Sequence, residues 1–285
     1  MKFEELMSGL AGELGIRDDF RPDEDGTVTL EADGVVLSFL EQADYPVPGH
    51  TALLMWGRFD GPADEAVEAL DAEMLRANDR PDGPTLALFD EKVCLQQALP
   101  LDRLDVRTLA LKSNDFLGEL LGWRERVRGE NAADAAEDAA FDGSAAAAAE
   151  EPEVRRIDAD GTEVTVVEDA ERGFVAYRCV AGRLPASGTA RFRRAMLHAN
   201  FMGRNTAGAR LAVSEGDEIV LSQTLPSAFA DDELAGGLVR SLAAVARQWR
   251  QFAETYAPVA ARQETDQEDE RKLARRMVAS TFLRV

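Results

Sequence analysis

The sequence predicts an α+β fold made twice in one chain, and three observations predict it. Short phrases recur in the same order in both halves. Within each half, helical stripes alternate with strand-like runs separated by turn residues. Between the halves lies a segment with almost nothing to bury. Each copy reads α-β-β-β-α-β-β-α, an antiparallel sheet with helices packed on it, except that the second copy lacks its N-terminal helix.

The repeated phrases are four. Met74-Leu75-Arg76-Ala77-Asn78 returns as Met196-Leu197-His198-Ala199-Asn200. Leu95-x-Gln97-x-Leu99-Pro100 returns as Leu221-x-Gln223-x-Leu225-Pro226, and Trp123-Arg124 as Trp249-Arg250. Asp23-x-Asp25-Gly26-Thr27 is paired with Asp158-x-Asp160-Gly161-Thr162. Four matches in one order argue for duplication of a small domain, and a chain of 285 residues has room for two.

In copy one, residues 1–128, Phe3, Leu6, Met7, Leu10 and Leu14 make an amphipathic helix that Gly15 stops. Asp23 to Gly26 is a turn, and Thr27 to Phe39 a hairpin across Asp33-Gly34. Thr51 to Phe59 is a third strand. Pro62 opens a helix with Ala66, Val67, Leu70, Met74 and Leu75 on its inner side. Thr85 to Phe89 and Val93 to Ala98 form a second hairpin. Asp105 leads a long helix with Leu109, Phe116, Leu120, Trp123 and Val127 in one stripe.

Copy two, residues 153–257, takes strands from Glu163 to Val167, Gly173 to Arg178 and Cys179 to Arg183. Ala190 to Asn200 is its middle helix. Arg210 to Val213 and Ile219 to Thr224 form its hairpin. Leu234, Leu238, Leu242, Val245, Trp249, Phe252 and Tyr256 stripe the last helix.

Residues 129–152 are nearly all alanine, aspartate and glutamate and read as a solvated linker. They fall where the first helix of copy two should stand. Residues 258–285 are a polar tether ending in an apolar tail with Leu273, Met277, Phe282 and Leu283. Three readings of that tail stay open: a helix packed on its own domain, a substitute for the missing first helix, or a segment occupying a client groove.

The net charge of -21 is spread along most of the chain. Such a polyanion repels nucleic acid and anionic lipid, so neither is expected as a partner. The charge serves solubility, or favours basic and unfolded partners; it does not choose between them. No run approaches the roughly 20 apolar residues of a membrane helix. The acidic start, Met1-Lys2-Phe3-Glu4-Glu5, is unlike a signal peptide, so a cytoplasmic location is expected. Cys94 and Cys179 sit in apolar runs at unmatched repeat positions, which favours buried free thiols.

Catalytic chemistry is not visible. His50 and His198 have no partnered nucleophile pattern. Gly203 to Gly208 is not followed by Lys-Ser or Lys-Thr. Calcium loops begun at Asp23 or Asp158 fail at the sixth and twelfth positions, which hold Val28 and Gly34, and Glu163 and Asp169. The expectation is therefore no enzyme, no cofactor and no metal.

Asp25-Gly26-Thr27, Leu75-x-Ala77-Asn78, Leu95-x-Gln97-x-Leu99-Pro100 and Trp123-Arg124, occurring twice and in order, resemble the CesT/Tir-chaperone family of type III secretion chaperones. The resemblance covers Phe3 to Arg128 and Asp158 to Tyr256. It implies a non-catalytic protein that binds the N-terminal region of a secreted effector and keeps it fit for secretion. It also implies that Leu70 and Met74 face Phe192 and Met196 across a pseudo-twofold axis, the chain being a monomer with its copies paired as an intramolecular pseudo-dimer. An extended client adds to a strand edge and fills apolar pockets. Leu6, Leu10, Leu14, Val35, Leu37 and Phe39 are the pocket candidates, with plain core as the competing reading. The alternative function is a cytosolic adaptor or regulatory scaffold of the same fold.

Overall fold

The structure, a computed structural model, describes residues 2–16, 20–32, 34–44, 51–61, 67–81, 83–101, 104–128, 153–203, 205–227 and 232–263. Copy one has the predicted element order: α1 (Phe3–Glu13), β1 (Thr27–Ala32), β2 (Val35–Ala43), β3 (Thr51–Asp60), α2 (Val67–Ala77), β4 (Thr85–Phe89), β5 (Lys92–Pro100) and α3 (Val106–Arg128). Copy two follows with β6 (Glu153–Ala159), β7 (Thr162–Asp169), β8 (Phe174–Arg183), α4 (Thr189–Asn200), β9 (Arg210–Val213), β10 (Glu218–Pro226) and α5 (Asp232–Gln263). Each copy forms a five-stranded sheet, β1-β2-β3-β5-β4 and β6-β7-β8-β10-β9, so the two have one topology.

Local chemistry explains the element ends. The Glu5 carboxylate accepts from the Lys2 N–H at the start of α1. Asp105 Oδ1 accepts from the Thr108 N–H at 2.7 Å and caps α3. That bond, first among the causes, holds the Asp105 carboxyl below its usual range.

Three sequence expectations need correction. The strands of copy two are not the three expected: Phe174 to Arg183 is one strand, and the remaining one is β6. It was illegible because every β6 residue is exposed except half-buried Ala159, so no apolar alternation marks it. The fourth repeated phrase is also misaligned. Asp160-Gly161 is the tip of the β6–β7 hairpin, whereas Asp25-Gly26 precedes β1. Register pairs Ala159 with Thr162 and Ala32 with Val35, so Gly161 corresponds to Gly34. Both glycines have φ near +77°, where a two-residue hairpin needs a residue without Cβ. Finally, α5 runs through Pro258 to Gln263. A proline removes one N–H donor but does not forbid continuation, and Ala260, Ala261, Arg262 and Gln263 are good helix formers.

The chain divides into two compact units that do not follow the sequence halves. Unit 1 is Met1–Glu65 with Ala87–Ala145, and unit 2 is Ala66–Leu86 with Ala146–Val285. Helix α2 therefore belongs to unit 2, where it packs on α4 and β9.

In unit 1, α3 covers one sheet face. Register places Leu37 opposite Gly57 and Phe39 opposite Met55 on that face. A Cβ on Gly57 would lie 2.5 Å from Leu120, so α3 approaches as closely as glycine allows. In unit 2, α5 covers the face of Val164, Val166, Tyr177 and Cys179; the Cys179 thiol lies 3.8 Å from the Leu242 carbonyl. Phe192 of α4 stacks on Phe252 and meets Trp249 and Tyr256 edge-on, closing that core.

Candidate functional site

Unit 2 contains a docking surface on which the segment 67–86 of copy one is seated. The centre is a pair of fully buried asparagines ending α2 and α4. Asn78 accepts from the Leu86 N–H at 2.7 Å and donates to the Leu86 carbonyl at 2.9 Å. Asn200 does the same with Leu211, at 2.7 and 2.9 Å. Each amide then shares the other copy's carbonyl, Asn78 with Leu211 and Asn200 with Leu86, both at 3.3 Å. The arrangement is nearly twofold. A buried amide needs such partners, and here each asparagine caps its own strand while gripping the other copy.

Around this centre the contacts are charged and one-directional. Asp79 holds Arg178 with both oxygens, at 3.0 and 3.1 Å. Buried Asp71 lies 3.4 Å from Arg194. Arg210 donates to the Arg80 carbonyl at 2.7 Å, and the Thr224 hydroxyl to the Pro81 carbonyl at 2.8 Å. The acids come from copy one and the arginines from copy two.

The second surface is the edge strand β6. Val154 and Ile157, at 55% and 39% exposed, are among the most exposed large apolar residues described. The edge strand β1 of unit 1 instead buries Val28. Along β6, Arg155 lies near Glu168 and Arg156 near Glu163, at 3.7 and 3.9 Å. Charged side chains along an edge strand guard it against unspecific pairing with other chains.

Of the residues singled out in the sequence, Leu6, Leu10, Val35, Leu37 and Phe39 are buried in unit 1 and Leu14 is half-buried. The five buried side chains belong to the core of unit 1. Leu70, Met74, Phe192 and Met196 are all buried in unit 2, on the packed helices α2 and α4. Phe192 points to the aromatic cluster of α5. Leu273, Met277, Phe282 and Leu283, the linker 129–152, His50 and Pro62 lie outside the described residues.

Cys94 and Cys179 are buried free thiols. Burial pushes the first up to about 12 and the second to about 11. Among the described residues no group of three or more His, Cys, Asp or Glu is placed to hold a metal ion. No described helix is long and apolar enough to cross a membrane.

Sequence reasoning noted Asn78 and Asn200 as a repeated letter without a role. A polar residue ending an otherwise apolar helix face, twice, was the available signal. It missed Asp71, Asp79, Arg178 and Arg194, because ion pairs between distant segments leave no local periodicity.

The profile of the Tir chaperone protein (CesT) family matches residues 5–124 and again 144–250. No curated protein matches the chain. Among solved structures, the chain is similar to one in the HopA1–SchA chaperone–effector complex, at 22% identity. That match covers 43% of this chain and 93% of the other, with a TM-score of 0.36. It is similar to one in the ExsC–ExsE complex at 20% identity, covering 45% and 97%, with a TM-score of 0.37. It is also similar to one in the heterodimeric ExoU–SpcU complex of the type III secretion system of Pseudomonas aeruginosa. There the identity is 17%, the coverage 38% and 82%, and the TM-score 0.29. With the family profile fitting both halves, the chain belongs to the Tir chaperone protein (CesT) family.

Proposed function

We propose that this chain is a type III secretion chaperone that binds the N-terminal region of a secreted effector in extended form and keeps it competent for secretion. It works without catalysis, in the cytoplasm, as a monomer whose two copies take the place of two protomers. The observation that carries this reading is the double fit of the family profile, residues 5–124 and 144–250.

The geometry supports it in physical terms. An extended segment gains main-chain hydrogen bonds at an open sheet edge and specificity from alternate side chains. Strand β6 offers such an edge, with Val154 and Ile157 as apolar contacts on its two faces. The buried residues Leu6, Leu10, Val35, Leu37 and Phe39 support the fold of unit 1.

The test is co-purification from the native host, followed by truncation of what is bound. A secreted protein that loses binding when its N-terminal region is removed supports the reading. Recovery of cytosolic regulators alone would sink it in favour of an adaptor.

A further inference from the structure

Helices α2 and α4 occupy equivalent positions in the two copies, yet their charges are opposite. Aligned on Met74 and Met196, Asp71 corresponds to Arg193 and Ala72 to Arg194. Helix α2 carries Glu68, Asp71 and Glu73 against one arginine; α4 carries Arg191, Arg193 and Arg194 and no acid. We propose that this polarity is a specificity device. The face formed by α4, β8, β9 and β10 accepts the acid-bearing segment 67–81 and rejects a second copy of itself.

Two parts of the interface do different work. The asparagine pair is nearly twofold, so it sets register but would serve any pairing of such helices. The ion pairs are not twofold. Arg194 meets Asp71, and Arg178 meets Asp79. A like-with-like pairing of two copy-two faces would set Arg193 against Arg194, with Phe201 in place of Asp79. A like-with-like pairing of two copy-one faces would set Asp71, 3% exposed, against Ala72 and take Arg194 away from a buried carboxylate. Copy one would also offer Trp56 where copy two has Arg178, as the strand registers place both opposite the equivalent Gln96 and Ser222. Rejecting the wrong partner by unpaired or like charges is how paired surfaces gain selectivity. The inference stands whether or not the client reading holds.

The experiment uses the full chain with a protease site placed in 129–152, cleaved after folding. The expected result is a stable complex holding one fragment of each kind, with no complex of two identical fragments. Arg178→Asp and Asp79→Arg should each lower Tm by several degrees and release the fragments at moderate salt. The double reversal should recover most of the loss, which a merely structural role for either residue would not produce. If charge reversal prevents folding, Asp79→Asn and Arg178→Gln replace it, and their double should fall no further than either single. Complexes of identical fragments in comparable amount, neutral single variants, or doubles that lose the sum of the singles would each overturn the proposal.

Discussion

At the scale of the residue, the asparagine pair bears the most consequence. Asn78→Leu leaves the Leu86 N–H buried without its acceptor, and Asn200→Leu does the same to Leu211. Each should cost about 1–3 kcal/mol, the penalty for an orphaned buried polar group. Because the two share carbonyls, a double-mutant cycle followed by urea denaturation should show coupling above about 0.5 kcal/mol. Additive losses would mean that the two amides act separately. Gly57 makes a second residue prediction. Ala in its place meets Leu120 at 2.5 Å, and overpacking of this kind costs about 1–3 kcal/mol. The register-equivalent residue in unit 2 is Cys179, and the counterpart of Leu120, three before the tryptophan, is Ala246. Adding Leu120→Ala to Gly57→Ala should therefore return part of the loss, read as a recovered denaturation midpoint. The thiols supply a pH test. Unfolded, they ionise near 9.0; folded, near 12 for Cys94 and near 11 for Cys179. The unfolded chain thus sheds protons first, and stability falls as pH rises from about 9 towards those values. Cys94→Ala should flatten that alkaline decline, and neither thiol should react with a thiol reagent until the chain unfolds.

At the scale of the element, burial decided what was legible. The stripe of α3 puts Leu109, Phe116, Leu120 and Trp123 inside, so its period is plain in the sequence. The strands β2, β3 and β8 are rich in buried apolar residues and read easily. Strand β6 has the opposite character. It carries four charged residues with little burial, and backbone pairing with β7 makes it a strand. The same exposure makes it the edge on which the proposed client binding is tested. Ile157→Asp should weaken binding of a peptide from the effector's N-terminal region at least tenfold, measured by titration calorimetry, with Tm nearly unchanged. A surface change away from structural features rarely moves stability much. Equal affinity for the variant would remove β6 from the client surface. The misplaced repeat phrase has a related cause. Asp-Gly is turn chemistry wherever a hairpin needs it, so a short Asp-x-Asp-Gly match marks a kind of turn, not a position in the fold.

At the scale of the whole molecule, the sequence revealed that α2 buries Leu70, Met74 and Leu75 but not which segment covers them. Periodicity names the buried face of a helix; the covering partner is a tertiary fact. The division into units makes this measurable. Amides of α2 should open in native-state hydrogen exchange with the free energy of α4 and β9, not that of α1 and α3. If α2 instead exchanges with α1, it folds with unit 1 and not with unit 2. The placement of 66–86 also has a consequence during synthesis. The segment leaves the ribosome well before the strands that receive it, since β9 and β10 end only at Pro226. At about 5–20 residues per second, the wait is on the order of ten to thirty seconds. Through that interval a nascent chaperone holds out an uncovered apolar helix of its own, and is briefly the kind of chain that chaperones attend.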